Sequence, residues 1–314
     1  MNYSTFCDTL IASLSNHLGS DYTLIKDSIR KNNGVMLDAL ILRMSDISSA
    51  PVVYLESLYE HYLTGSSVEN LCNTIIAGLK KDSIITQEML HRLQDPEFAC
   101  DKIAFRLVSR KANAELLQDV PWIPFLDLAV IFHLHLGRSA GNQITSIIHN
   151  RQMHDWNLSP LDLFRIAKKN TCRLYPSAIT RLEHLIFGWN PENDPVFSCD
   201  PDLPDIYVLT NQNGINGASC LLYENTIKDF ANRTSSDLII LPSSIHEVLL
   251  IPDSGCLNYH TFRDMVRTIN AHDVPKEDVL SDELYLYHRD EKPSITLWRP
   301  SSSDEHGSNE RSNP

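Results

Sequence analysis

Ser244, His246 and Glu247 place a hydroxyl, an imidazole and a carboxylate within four positions of the 314-residue sequence. These are the groups of a nucleophile, a general base and an orienting acid, so the stretch is the candidate catalytic site of a hydrolase-like enzyme. It opens a short aliphatic strand, in which His246 and Glu247 point to opposite faces unless a bulge intervenes. The plainer expectation is a turn through Pro242, Ser243 and Ser244, with His246 capping the strand by a side-chain hydrogen bond. His133 and His135 form an HxH pair inside an apolar strand. Strand alternation turns both rings to one face, a geometry that metal sites use, with His149, His154 or Asp155 as the expected third ligand. Two histidines on the open face of an edge strand are the bland alternative, and no ligand cluster at fixed spacing supports the metal.

Weaker candidates follow. The loop NQNGING at 211–217 offers glycines and asparagines to a phosphate but reads more simply as a turn. Asp200, Asp202 and Asp205 supply oxygen ligands for a hard cation, yet intervening prolines and the lack of EF-hand spacing favour an acidic linker. Trp122 and Trp156 lie in turn-rich surroundings, as interface anchors or as core. The local signatures of phosphate loops, dinucleotide folds, nucleophile elbows, zincins and paired CxxC zinc sites are all missing. No cofactor is expected.

Composition sets the frame for these groups. Apolar residues make up 42% and charged residues 21%, which is globular and not disordered. Seven cysteines, an odd number with wide spacing, fit reduced thiols better than a disulfide framework. The first ten residues lack a signal-peptide pattern and no apolar run approaches a bilayer span, so a cytoplasmic protein with no membrane contact is expected. The net charge of −13 is uneven: residues 1–190 hold 19 acids and 18 bases, whereas residues 191–314 hold 21 acids and 9 bases. An acidic second part repels phosphate backbones, so direct nucleic-acid binding is not expected and a basic protein partner is.

Periodicity places the elements. Cys7, Leu10, Ile11, Leu14 and Leu18 make a helix ending at Gly19, and Asn33-Gly34 joins strands 22–31 and 35–43 as a two-residue hairpin. Leu55 to Tyr62 and Val68 to Leu79 are two further helices packed over that hairpin, the second opened by a Ser66/Glu69 capping box. Strands are expected at 102–108 and 126–136, a helix from Ser159-Pro160 through Lys169, and another along Ile179, Leu182 and Ile186. Four prolines mark 190–205 as a linker. Strands at 205–210, 237–241 and 246–251, a helix at 259–269 and a closing hairpin at 284–298 follow, and 300–314 reads as a disordered tail. The fold class is α+β, with helices and short, mainly antiparallel sheets in two abutting parts, 1–189 and 206–299.

Three stretches, KNNGVMLDAL at 31–40, LPSSIHEVLLIP at 241–252 and LSDELYLY at 280–287, together resemble an uncharacterised bacterial family of unknown function. The resemblance covers about residues 1–298 and centres on an LPSSxHEVLxIP-type signature. It implies a bacterial cytoplasmic protein, often encoded among accessory genes of mobile elements, and transfers no catalytic residue. The leading expectation is a non-enzymatic accessory or interaction protein. Its rivals are the hydrolase at Ser244, His246 and Glu247, and an acidic regulator of a nucleic-acid enzyme.

Overall fold

The structure, a computed structural model, describes residues 1–44, 51–81, 87–139, 142–187, 204–289 and 294–300. Helix α1 (Tyr3–Leu18) starts where the Asn2 side chain accepts the Thr5 amide and stops at Gly19, whose φ of 62° suits glycine. Its buried stripe is Phe6, Cys7, Leu10 and Leu14, and each large apolar side chain buried this way contributes about 1.5–3 kcal/mol. Strands β1 (Tyr22–Arg30), β2 (Met36–Met44) and β3 (Val52–Tyr54) form an antiparallel sheet in the order β1-β2-β3. Helices α2 (Leu55–Leu63) and α3 (Val68–Lys81) close a core with α1 around Leu40, Leu42, Leu55 and Cys72. Ser67, one residue later than expected, caps α3 by accepting the Asn70 amide at 3.2 Å.

The middle of the chain runs through α4 (Gln87–Arg92), α5 (Pro96–Cys100), β4 (Ile103–Ser109), α6 (Leu116–Asp119), β5 (Trp122–Phe125), β6 (Leu128–Ser139), β7 (Asn142–Ile147), α7 (Asn150–Asp155) and α8 (Pro160–Leu174). The long strand β6 pairs antiparallel with β4, β5 and β7. Alternation sends Phe105, Leu107, Val130 and Phe132 into the largest core and Val108, Ala129 and Ile131 into a smaller one on the opposite face. Helix α8 packs on β4 and carries the Ser159/Asp162 capping box in full.

The last sheet collects β8 (Ser177–Arg181), β9 (Tyr207–Asn211), β10 (Asp237–Leu241), β11 (Val248–Asp253), β12 (Tyr285–His288) and β13 (Ser294–Leu297) in the antiparallel order β13-β12-β10-β11-β9-β8. Helices α9 (Leu182–Phe187), α10 (Thr226–Thr234) and α11 (Tyr259–His272) complete the chain's described elements. The molecule is therefore α+β with antiparallel sheets. The expected linker at 190–205 falls mostly outside the described residues, as does the tail from 301. Strand β8, from ahead of that linker, pairs with β9 beyond it, and the largest core joins Phe105 and Leu163 to Leu209, Leu238 and Tyr285.

Three local readings are corrected. Ile179 lies in strand β8, and only the following residues form helix α9. Helix α8 continues past Lys169 to Leu174, because Thr171 is buried on its core side. Strands β3, β5 and β7 and helices α4, α5, α6, α7 and α10 are further elements that the periodicity does not mark. The described cysteines, 7, 72, 100, 172, 220 and 256, are free thiols. No helix among the described residues is long and apolar enough to cross a membrane.

Candidate binding cavity at a three-way junction

The β1–β2 turn is where the molecule's parts meet. Asn33 (φ 57°, ψ 24°) and Gly34 (φ 71°) both adopt left-handed backbone, and the Val35 amide returns to the Asn32 carbonyl at 3.3 Å. That is the type I′ geometry Asn-Gly prefers. The Asn33 side chain donates to the carbonyls of Val279 (2.6 Å) and Lys276 (2.8 Å) and accepts from Asn113 (2.8 Å). Asn32 donates to the Glu277 carbonyl at 2.6 Å, and the Asn33 amide to the Asn113 side chain at 2.9 Å. The 276–281 loop is held in turn by the stretch before β11: the Ile245 amide donates to Asp278, the Leu280 amide to Ser243 and the Ser281 amide to Pro242. Each of the three stretches that carry the family resemblance thus contributes to one junction.

Ser244, His246 and Glu247 lie beside it without forming a relay. The buried Ser244 Oγ accepts the His246 backbone amide at 3.0 Å, closing a tight turn. The His246 ring is engaged at both nitrogens: Nδ1 accepts the Asn216 amide at 3.3 Å, so Nε2 carries the proton and faces the Asp278 carboxylate at 3.2 Å. Its partner acid is Asp278, thirty-two positions away, and no hydrogen bond joins Glu247 to either group. The 211–217 loop packs behind. Gly217 sits so close to the Thr210 side chain and the His246 carbonyl that a Cβ would overlap both, and Arg138 holds Asn213.

His133 and His135 do share a face, and both converge on the Tyr175 hydroxyl, at 3.4 Å from His133 Nε2 and 2.9 Å from His135 Nδ1. Burial, then Arg106, then His135 press the His133 pKa down to about 3, so it is neutral. Burial likewise lowers that of His135 and raises the Tyr175 hydroxyl to about 12. His149 lines a different cavity, His154 is exposed, and Asp155 borders a third groove. Among the described residues no group of three His, Cys, Asp or Glu side chains is placed to hold a metal ion. Of the 200–205 acids only Asp205 is described, and it pairs with Arg181. Trp156 is buried in the main core and Trp122 packs against the smaller one.

Arg106 was not singled out by sequence reasoning, although a charge in the middle of the apolar run IAFRLV was the signal for it. By alternation along β4 it shares the face of Val108, opposite Phe105 and Leu107. There it lines a cavity of about 850 Å³ together with Lys31 and Asn32 of the turn, Glu56 and Glu60 of α2, and Glu277 and Asp278. Its Nε is sealed from solvent, and the guanidinium makes no hydrogen bond or ion pair among the described residues. The other cations of the wall are engaged: Arg30 with Glu115, and Lys31 at 3.7 Å over the Tyr54 ring. Glu56 accepts the Asp38 amide through Oε1 at 2.7 Å and leaves Oε2 buried without a partner among the described residues. A second cavity of about 850 Å³ borders the turn at Asn33, but its Asp127 is taken up by Ser281 and Tyr285, both at 2.6 Å, and its Arg263 lies over Trp298.

A family described as of unknown function, DUF5688, matches residues 3–289. The chain belongs to the DUF5688 family. No curated protein and no solved structure matches the chain. The match to DUF5688 takes in the β1–β2 turn, Arg106 and the 276–281 loop, and so every wall of the junction cavity.

Proposed function

We propose that the protein is a non-enzymatic binding protein of the bacterial cytoplasm, an accessory factor that recognises its ligand at the junction cavity. The observation that supports this best is a contrast in commitment. Both ring nitrogens of His246 are taken up, by the Asn216 amide and the Asp278 carboxylate, and Ser244 Oγ accepts the His246 backbone amide, whereas the cavity beside them holds an Arg106 with no partner among the described residues. A nucleophile needs a base with a free nitrogen within hydrogen-bond reach, and a recognition site needs unmet polar groups in a concave wall. The acid excess of residues 191–314 suits a basic protein as the eventual partner.

Incubating the full chain with p-nitrophenyl esters and phosphoesters, and separately with a fluorophosphonate probe, tests this reading. No turnover above buffer and no labelled serine are expected. Turnover or labelling that disappears in Ser244→Ala would establish the hydrolase in its place.

A further inference from the structure

We infer that the junction cavity takes a small zwitterionic molecule, its oxyanion held by Arg106 and its amino group facing the carboxylates of Glu56 and Glu60. This deepens the binding role proposed above and rests on it.

Arg106 is the starting point. A guanidinium stays charged throughout the pH range of folded proteins, so its field inside the molecule has to be answered by a counter-charge or by water. Here no carboxylate of the chain answers it among the described residues, and the two polar side chains it acts on electrostatically, His133 and Tyr175, are neutral. A cation without a partner among the described residues, with its Nε sealed from solvent and next to a cavity of about 850 Å³, is costly to keep unless something from outside completes it. The planar fork of an arginine matches a carboxylate or a phosphate through two parallel hydrogen bonds.

The rest of the wall selects against a simple anion. Glu56, Glu60, Glu277 and Asp278 outnumber the cations left after Arg30 has paired with Glu115 and Lys31 has settled on Tyr54. A bare dianion entering the cavity meets net repulsion everywhere except at Arg106. A molecule with an amino group at its other end reverses that repulsion, and the partnerless Oε2 of Glu56 is the acceptor such a group lacks elsewhere. The volume lies inside the range of about 300–1,000 Å³ that small-molecule sites occupy.

The test uses calorimetric titration and thermal melting of the full chain. The carboxylate arm is the set of standard L-amino acids, the phosphate arm is O-phosphoethanolamine, and inorganic phosphate and ethylamine are one-ended controls. At least one arm should bind and raise the melting temperature, while neither control does. Arg106→Gln and Arg106→Lys should weaken that binding by about ten- to a hundredfold, the loss expected for hydrogen bonds to a charged group, and Glu56→Gln should weaken it as well. Without ligand, Arg106→Gln should melt at or above the wild-type temperature, since it removes an uncompensated charge. Silence of both arms, equal binding by a control, or a lowered melting temperature of ligand-free Arg106→Gln would each overturn the inference. Ester turnover lost in Ser244→Ala would instead overturn the parent reading.

Discussion

His133 is buried against the Tyr175 hydroxyl, with Arg106 electrostatically close, and burial is the first reason it stays neutral. Its pKa in the fold is about 3, whereas an imidazole in the unfolded chain protonates near about 6.5. Between those values the unfolded chain binds a proton that the folded chain refuses. The stability due to neutral His133 is therefore complete above about pH 6.5 and falls as pH drops toward 3, by at most about 1.4 kcal/mol per unit. Urea unfolding of His133→Gln from pH 4 to 7 should show a shallower acid loss than wild type, and equal slopes would mean that His133 is not held neutral. The pairing of His133 with His135 on one face was legible, because strand alternation depends on two positions only. Tyr175, the group on which both rings converge, is the residue that follows α8, about forty positions along the chain, and no local spacing announces it. The same holds for His246, whose acid is Asp278 and not its neighbour Glu247: the strand expected from 246 begins only at Val248, so both residues lie in the turn before it, and the contact that joins His246 to Asp278 crosses thirty-two positions.

The β1–β2 hairpin shows how an element acquires a second task. Its turn chemistry was readable from Asn33-Gly34, and the structure adds that the Asn33 side chain is also the peg holding the 276–281 loop and Asn113. Asn33→Ala removes three side-chain hydrogen bonds and leaves a Cβ residue at positive φ. A loss of about 2–4 kcal/mol in urea unfolding is expected. Asn33→Gly keeps the backbone relaxed and loses the pegs alone, so it should cost less; if both variants unfold like wild type, the turn is not a structural peg. Helices with strong stripes, α1, α3 and α11, were legible for the reason that their buried residues repeat at helical spacing. The missed elements lack that signal. Strand β7 reads NQITSI with polar residues at most positions, β5 carries Pro124, and α10 begins at an Asn225 in left-handed backbone with no side-chain cap.

At the scale of the whole molecule, the hairpin, the β4–β6 sheet and the loop before β12 each lend one wall to a single cavity. The composition pointed to a globular chain with an acidic second part, and the periodicity to the α+β class and most of its long elements. It had no means of showing that the three family-like stretches meet, since contacts such as Asn33 to Val279 span 246 positions. On the reading proposed above, the working group of this junction is Arg106 and not the Ser244–His246 turn. Nitrogen NMR of the arginine Nε–Hε signals, with Arg106 assigned through Arg106→Lys, reads that claim directly. On titration with the L-amino acids and O-phosphoethanolamine, the Arg106 signal should shift saturably with at least one of them, while the His246 ring nitrogens keep their ligand-free pattern. An unmoved Arg106 signal alongside a perturbed His246 ring would contradict it.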